Sequence, residues 1–454
     1  MTGADVVQLF EGRRPVCVMA QMALERLLSP TEIDQLFHEA AEEQYERKLL
    51  FSSLAKLMAS VVLCRENSVN SAYKKLKDEI GVSLTATYTK LERIELRLSQ
   101  ELVRHSYQQL TNVGHHLRAA EPSPVAGFKP KILDGNHLAA TEHRLKETRH
   151  STAAPLPGKL LVVLDPRREA IADLFPIEDG HAQERSALDQ VIDTIERNDL
   201  WIADRNFCTL KFLYAIAQRC GRFVIRQHEM VQGERVGKRR FAGKTATGRV
   251  YESQLKLPTY EGRTITVRAI EIELFQPTRD DDPAITILTN LTEDEADAAK
   301  ITEIYRTRWR IETAFQKLTT TLQCEVNTLC YPKAALFAFS LACLAYNAVS
   351  LVLAAIGAEH GQKKSAELSF HYLSQEIAQT YDGMMIAIPA SHWTKIRNLT
   401  NEDFSQQLRR VAGFVNLAYY GKSKRQPKKP KPKIKHQRTH VHVSTKKLLD
   451  QRQH

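Results

Sequence analysis

The chain has 454 residues, 43% hydrophobic and 26% charged, enough for two or three domains with a sizeable core. Its net charge of +11 comes from 64 basic and 53 acidic residues; twelve of the basic ones and a single acid fall in residues 421–454, so the rest is neutral. Seven cysteines, scattered and without a C-x-x-C pair, exclude a disulfide framework and a zinc ribbon and suit a reducing, cytoplasmic setting.

The first residues include acids and lack an apolar h-region, so no secretory leader is expected. Residues 30–118 read as helical: 32–64 are rich in Ala, Leu, Glu and Gln, and Leu91, Ile94, Leu98 and Leu102 recur at helix spacing. The stretch E-P-S-P-V-A-G-F-K-P-K at 121–131 punctuates the chain and marks a boundary, leaving a helical domain over 1–120. Short strands and helices then alternate. Strands are expected at 131–134 (K-I-L-D), 159–164 (K-L-L-V-V-L), 200–203 and 222–226, with helices over 184–197 and 210–219.

This α/β rhythm, spanning 121–226, stops at 227–283, which is basic, spotted with glycine and strand-like. It reads as a β-rich insertion. A strand at 284–290 and one long helix over 293–317 resume the α/β pattern, whose second part is assigned to 284–360. The apolar run at 334–355 contains Ser340, Cys343, Tyr346, Asn347 and Ser350 and reads as a buried core helix rather than a membrane span. A helical region over 361–420 precedes the basic tail, 421–454, which has too few apolar groups to offset the entropy of ordering and is expected to be flexible. Its lysines, Lys428, Lys429 and Lys431 among them, suit salt-dependent, sequence-independent phosphate binding.

Two of the strands end in an aspartate: Asp134 in I-L-D-G-N-H and Asp204 in W-I-A-D-R-N-F. Strand ends of an α/β sheet form an open edge that a ligand can reach. Aspartate also makes turns and caps, and Asp165 in L-D-P-R-R is read that way because of Pro166. His137 and His181 are not read as ligands. In E-I-Y-R-T-R-W-R-I-E-T-A-F-Q-K, at about 100° per residue, Tyr305, Arg308 and Glu312 share one helix face within about 60°. The plain reading is a surface ion pair at i,i+4. The sharper one makes Glu312 a metal ligand and lets Tyr305 and Arg308 contact a phosphate. Three carboxylates suit Mg²⁺, and two such ions can activate a water or a 3′-hydroxyl and stabilise a leaving oxygen.

Asp134 in L-D-G-N-H, Asp204 in A-D-R-N-F, the β-insertion and Y-R-T-R-W-R-I-E-T-A-F together resemble the bacterial insertion-sequence DDE transposases. The similarity is to the IS-four or Tn-five-like branch with its Y-x2-R-x3-E-x6-K signature, over roughly residues 30–450. The resemblance implies an α/β fold with an RNase H-like catalytic core interrupted by the β-rich insertion, an N-terminal α-helical domain and a basic C-terminal tail. It implies Asp134, Asp204 and Glu312 as ligands of two Mg²⁺ ions, with Mn²⁺ able to substitute, and cut-and-paste transposition through a DNA hairpin. Tyr305 and Arg308 would hold a terminal phosphate. The N-terminal helices and the basic insertion would bind the terminal inverted repeats, with Arg205, Lys238, Arg239 and Arg240 as DNA contacts. The partners would be double-stranded DNA and a second copy of the chain on paired ends, without a membrane. Where the signature has its lysine this chain has Thr319, with Lys317 about 140° from Glu312 around the helix. An alternative is therefore a catalytically impaired, transposase-derived DNA-binding regulator. The insertion contains no tryptophan, so a flipped base would need Phe241, Tyr251 or Tyr260.

Overall fold

A computed structural model describes residues 3–44, 48–150, 152–278, 281–423 and 442–451. Seven helices come first: α1 (Gly3–Arg13), α2 (Pro15–Leu27), α3 (Pro30–Ala40), α4 (Phe51–Val62), α5 (Val69–Ile80), α6 (Leu84–Glu92) and α7 (Leu96–Leu117). Their ends follow local chemistry. Ser68 and Ser71 exchange side-chain and backbone bonds in a capping box at the start of α5, and Gly81 ends it at φ 63°, in the left-handed region. Along α7, Leu98, Leu102, Leu110, Val113 and Leu117 form the buried stripe.

The sheet follows: β1 (Lys129–His137), β2 (Ala154–Leu156), β3 (Lys159–Asp165), β4 (Ala170–Ile177), α8 (Leu188–Asp193), β5 (Asp199–Ala203), α9 (Leu210–Gln218) and β6 (Arg222–Arg226). Next come β7 (Glu234–Lys244), β8 (Gly248–Lys256), β9 (Thr266–Leu274) and β10 (Ala284–Thr289). Nine of these strands form one sheet in the order β4-β3-β1-β5-β6-β10-β9-β8-β7. β1, β5 and β6 run parallel; the other neighbours are antiparallel. The basic segment at 227–283 is thus a run of antiparallel strands that enters the central sheet through β10, which lies against β6.

Alternation along the strands sorts the core into two apolar clusters, one on each face. Ile132, Val162, Ile202 and Val224 belong to one; Leu133, Leu161, Val163, Trp201, Ala203 and Ile225 belong to the other, with α8 and α9. The first cluster also takes in the N-terminal helices and α10 (Ala298–Arg306), α11 (Trp309–Thr320), α12 (Pro332–His360), α14 (Phe370–Ala387), α15 (Ala390–Arg397) and α16 (Asn401–Ala412), while the short α13 (Gln362–Ala366) lies outside it. α12 is its axis. By length and composition it is able to cross a membrane, but 94% of its most apolar window is buried, against α2, α4, α7, α16 and β4 among others. Asn347, on α12, accepts from Ile171 N (2.8 Å) and donates to Ile171 O and Ser106 Oγ (both 2.9 Å), closing the free edge of β4.

Two expectations need correction. The helix expected over 293–317 is two, α10 and α11, joined at Thr307 and Arg308. There the backbone bonds shorten to i−3 spacing (Arg308 N to Tyr305 O, 3.0 Å; Arg310 N to Thr307 O, 2.9 Å), and the Thr307 hydroxyl donates to Ile304 O at 2.6 Å. Nor is the basic tail a free end throughout. β11 (His442–Ser444) pairs in parallel with β2, and α17 (Thr445–Asp450) follows, with Lys446 near Glu178 (3.6 Å) and Lys447 near Asp179 (3.4 Å). A short β-favouring run and two ion pairs offset the ordering cost that the lysine-rich part cannot. Lys428, Lys429 and Lys431 lie outside the described residues.

Candidate active site

β1 and β5 end their parallel pairing at Leu133 and Ala203, so Asp134 and Asp204 leave the ladder side by side. β1 itself does not stop at Asp134, as the sequence reading had it. It continues to His137 in antiparallel pairing with β3. Because Leu133 and Ala203 belong to the α8/α9 face, alternation turns Asp134 to the other face, that of α10 and α11. Asp204 caps the 3₁₀ turn at Arg205–Phe207, accepting from Asn206 N at 2.8 Å.

Glu312 reaches the same place from the first turn of α11. Between it and Asp134 stands Arg308: Nη1 donates to Asp134 Oδ2 at 3.0 Å and Nη2 to Glu312 Oε1 at 2.8 Å. The tight turn at 307–308 brings residues three apart into eclipse, which stacks Tyr305 next to the guanidinium. Tyr305 and Arg308 are each 8% exposed, and Arg308 Nε is buried without a hydrogen-bond partner. The Arg308 guanidinium lies 4.8 Å from the ring centre of Trp309, which is 58% exposed at the rim.

Burial pushes the Asp134 carboxyl up to about 7; Arg308 opposes this, while Asp204 and Glu184 add to it. Tyr305 is likewise pushed up, mainly by burial. For Arg308, burial works against the charge, but Tyr305, Asp134 and Glu312 hold it above its ordinary value.

Sequence reasoning passed over Glu184, in the 3₁₀ turn at Glu184–Ala187. Its carboxylate accepts from Asn206 Nδ2 at 2.5 Å and lies 3.2 Å from His137 Nε2. The His137 contact is the largest influence holding Glu184 below the usual carboxylate range. Nothing in the local pattern distinguishes it from a surface acid; only the loop's return over β1 does.

The other predicted residues divide. Arg205 lies 3.8 Å from Asp282, which also takes Arg226 at 2.6 Å. On β7, Arg239 pairs with Glu271 (2.9 Å) and Glu273 (2.7 Å) beneath Tyr251, Arg240 pairs with Glu252 (3.2 Å) and Glu293 (2.7 Å), and Lys238 is exposed. Phe241 is 58% exposed and meets Tyr251 edge-on, whereas Tyr260 packs on Tyr214. Lys317 cannot reach toward Glu312. It turns inward against Tyr346 and Phe370 (5.4 and 5.3 Å), with Glu169 at 3.8 Å. Thr319 spends its hydroxyl on Phe315 O and Gln316 O (3.0 and 3.2 Å).

Residues 131–348, which hold all three acids, match the family model described as "Transposase DDE domain". These residues are similar to a transposase DDE domain. Among solved structures, the chain is similar to "Cryo-EM structure of piggyBac transposase synaptic complex with hairpin DNA", at 10% identity and a TM-score of 0.37, over 89% of this chain and 85% of that one. No curated protein matches the chain.

As to metal, the site offers hard oxygen donors, one of them the half-buried Asp134 carboxyl, which burial pushes toward its neutral form. Among the described residues no three His, Cys, Asp or Glu side chains are already gathered around a vacant centre. The cation that Asp134 and Glu312 now share is Arg308. The donor set fits a divalent ion once that guanidinium has turned aside.

Proposed function

We propose that the chain is a cut-and-paste DNA transposase of the IS-four or Tn-five-like branch, acting on the terminal inverted repeats of its own element. The observation that carries this is Arg308 bridging Asp134 and Glu312, with Asp204 close enough to act on Asp134, within the residues that match the DDE domain model. Strand order supports an RNase H-like reading of the core: β1, β5 and β6 parallel, with β3 and β4 antiparallel on the β1 side. Asp134, Asp204 and Glu312 would hold two Mg²⁺ or Mn²⁺ ions, which when bound supply an activated water or 3′-hydroxyl and stabilise the leaving oxygen.

The protein's own groups do the rest. Tyr305 and Arg308, both presented at the buried end of the row, hold a terminal phosphate. Arg308 is poised for it: a phosphate can take over both guanidinium bonds in a bidentate pair. Trp309 shields the rim from water. Lys238 and the β7 arginines follow the duplex backbone, and two copies on paired ends complete the assembly in the cytoplasm.

The test is cleavage of the element's own ends in Mg²⁺. Asp134→Ala, Asp204→Ala and Glu312→Ala should each reduce cutting to background while end binding persists. Cutting retained in any of the three sinks the assignment.

A second reading, a DNA-binding regulator without transposition, draws on the last position of the signature. Thr319 is occupied by its own helix and Lys317 is turned into the core, so neither supplies a cation there. End binding without cleavage by the unaltered chain would favour it.

A further inference from the structure

The turn that carries Glu184 touches both strand ends of the site. Glu184 Oε2 accepts from Asn206 Nδ2 (2.5 Å), Arg185 Nε donates to Asn206 O (2.6 Å), and Asn206 N in turn donates to Asp204 Oδ1 (2.8 Å). Two adjacent residues thus grip Asn206 by its side chain and its carbonyl, and Asn206 orients the acid two positions before it. Toward β1, Glu184 Oε1 lies 3.2 Å from His137 Nε2, three residues beyond Asp134.

Between those contacts the carboxylate lies directly on Gly135. A Cβ built there would stand 2.3 Å from Glu184 Oε1 and 2.4 Å from its carboxyl carbon. That approach is possible only because residue 135 has no side chain, and Gly135 N donates to Asp134 Oδ1 (2.9 Å). The Glu184 side chain is 18% exposed and accounts for its oxygens within the protein.

We propose that Glu184 is a positioning residue of the active site. It sets the spacing of Asp134 and Asp204 by bracing Gly135 and His137 on one strand end and Asn206 on the other. This rests on the reading of Asp134 and Asp204 as metal ligands. Supporting groups of this kind typically change metal affinity by roughly 10- to 100-fold when removed.

The test is titration of the full-length, DNA-free protein with Mn²⁺ alone by calorimetry, with thermal melting in chelator as the control for folding. Glu184→Ala should weaken Mn²⁺ binding by roughly 10- to 100-fold. Glu184→Gln keeps the acceptor for Asn206 and should restore most of the affinity; a residue that bound the ion itself would not be rescued in this way. Gly135→Ala should weaken binding as Glu184→Ala does, because the new methyl displaces the carboxylate. The double variant should be no worse than either single one, since the obstruction disappears with the side chain.

Unchanged affinity in Glu184→Ala, or equal losses in the Ala and Gln variants, overturns the proposal. So do strictly additive losses in the double variant. Asp134→Ala runs in the same titration. If it leaves Mn²⁺ binding intact, the metal-site reading itself has failed; if it abolishes binding while Glu184→Ala does not, only the bracing role has.

Discussion

Arg308 balances two carboxylates that no other cation reaches among the described residues, and that balance has measurable consequences. Replacing it with methionine removes a competitor for Asp134 and Glu312, so Mn²⁺ affinity of the DNA-free protein should rise. A charged hydrogen bond is worth about 1.5–3 kcal/mol, which corresponds to at least a tenfold gain by calorimetry. Binding of a 5′-phosphorylated terminal end should fall in the same variant. Asp134 adds a pH dependence. Its folded value, about 7, stands above the ordinary 3.8, so the native state holds the proton longer than the unfolded chain does. Stability in chelator should therefore decline as pH rises from about 4 to about 7, and Asp134→Asn should flatten that decline in melts across the range. These acids were legible in the sequence because each ends a strand ladder or shares a helix face with its neighbours. Glu184 was not: its partners, His137 and Asn206, lie 47 positions before and 22 after it, and only the fold brings them together.

At the scale of the element, the break between α10 and α11 matters more than the charge density that drew attention to the stretch. A continuous helix would spread Tyr305 and Arg308 about 60° apart, whereas the tight turn eclipses them. Periodicity cannot reveal such a turn, because Thr307 and Arg308 both keep ordinary right-handed dihedrals. The same helix shows what Lys317 does. Its stem packs on Tyr346 and Phe370 and its ammonium meets Glu169, so Lys317→Ala should lower stability by about 1–2 kcal/mol in denaturant melts. Thr319→Lys, on the exposed face, should leave stability unchanged or raise it by a few tenths of a kcal/mol. If the missing cation limits the hairpin stage, this variant should accumulate more hairpin-ended product on a gel.

For the molecule as a whole, the strand–helix alternation of 121–226 and the buried nature of 334–355 could be read from composition and period. The merging of N- and C-terminal helices around α12 could not. Their contacts, such as Arg26 Nη1 to Arg397 O at 3.0 Å and Arg410 to Glu11, join residues nearly 400 positions apart. Asn347 ties α12 to α7 and β4 beside that union. Asn347→Ala would leave Ile171 N–H and C=O unpaired in the interior, a loss of about 2–4 kcal/mol that a melting curve would register.

The way α2 is enclosed has a further consequence for biosynthesis. Twelve of its thirteen residues are buried, and α14, α15 and α16 supply part of the cover. At about 5–20 residues per second, a ribosome needs roughly 20–70 s to travel between them. For that interval the beginning of the protein is an apolar helix waiting for its partner. A chain stopped at residue 369 should accordingly emerge insoluble, even though it contains the whole of residues 131–348.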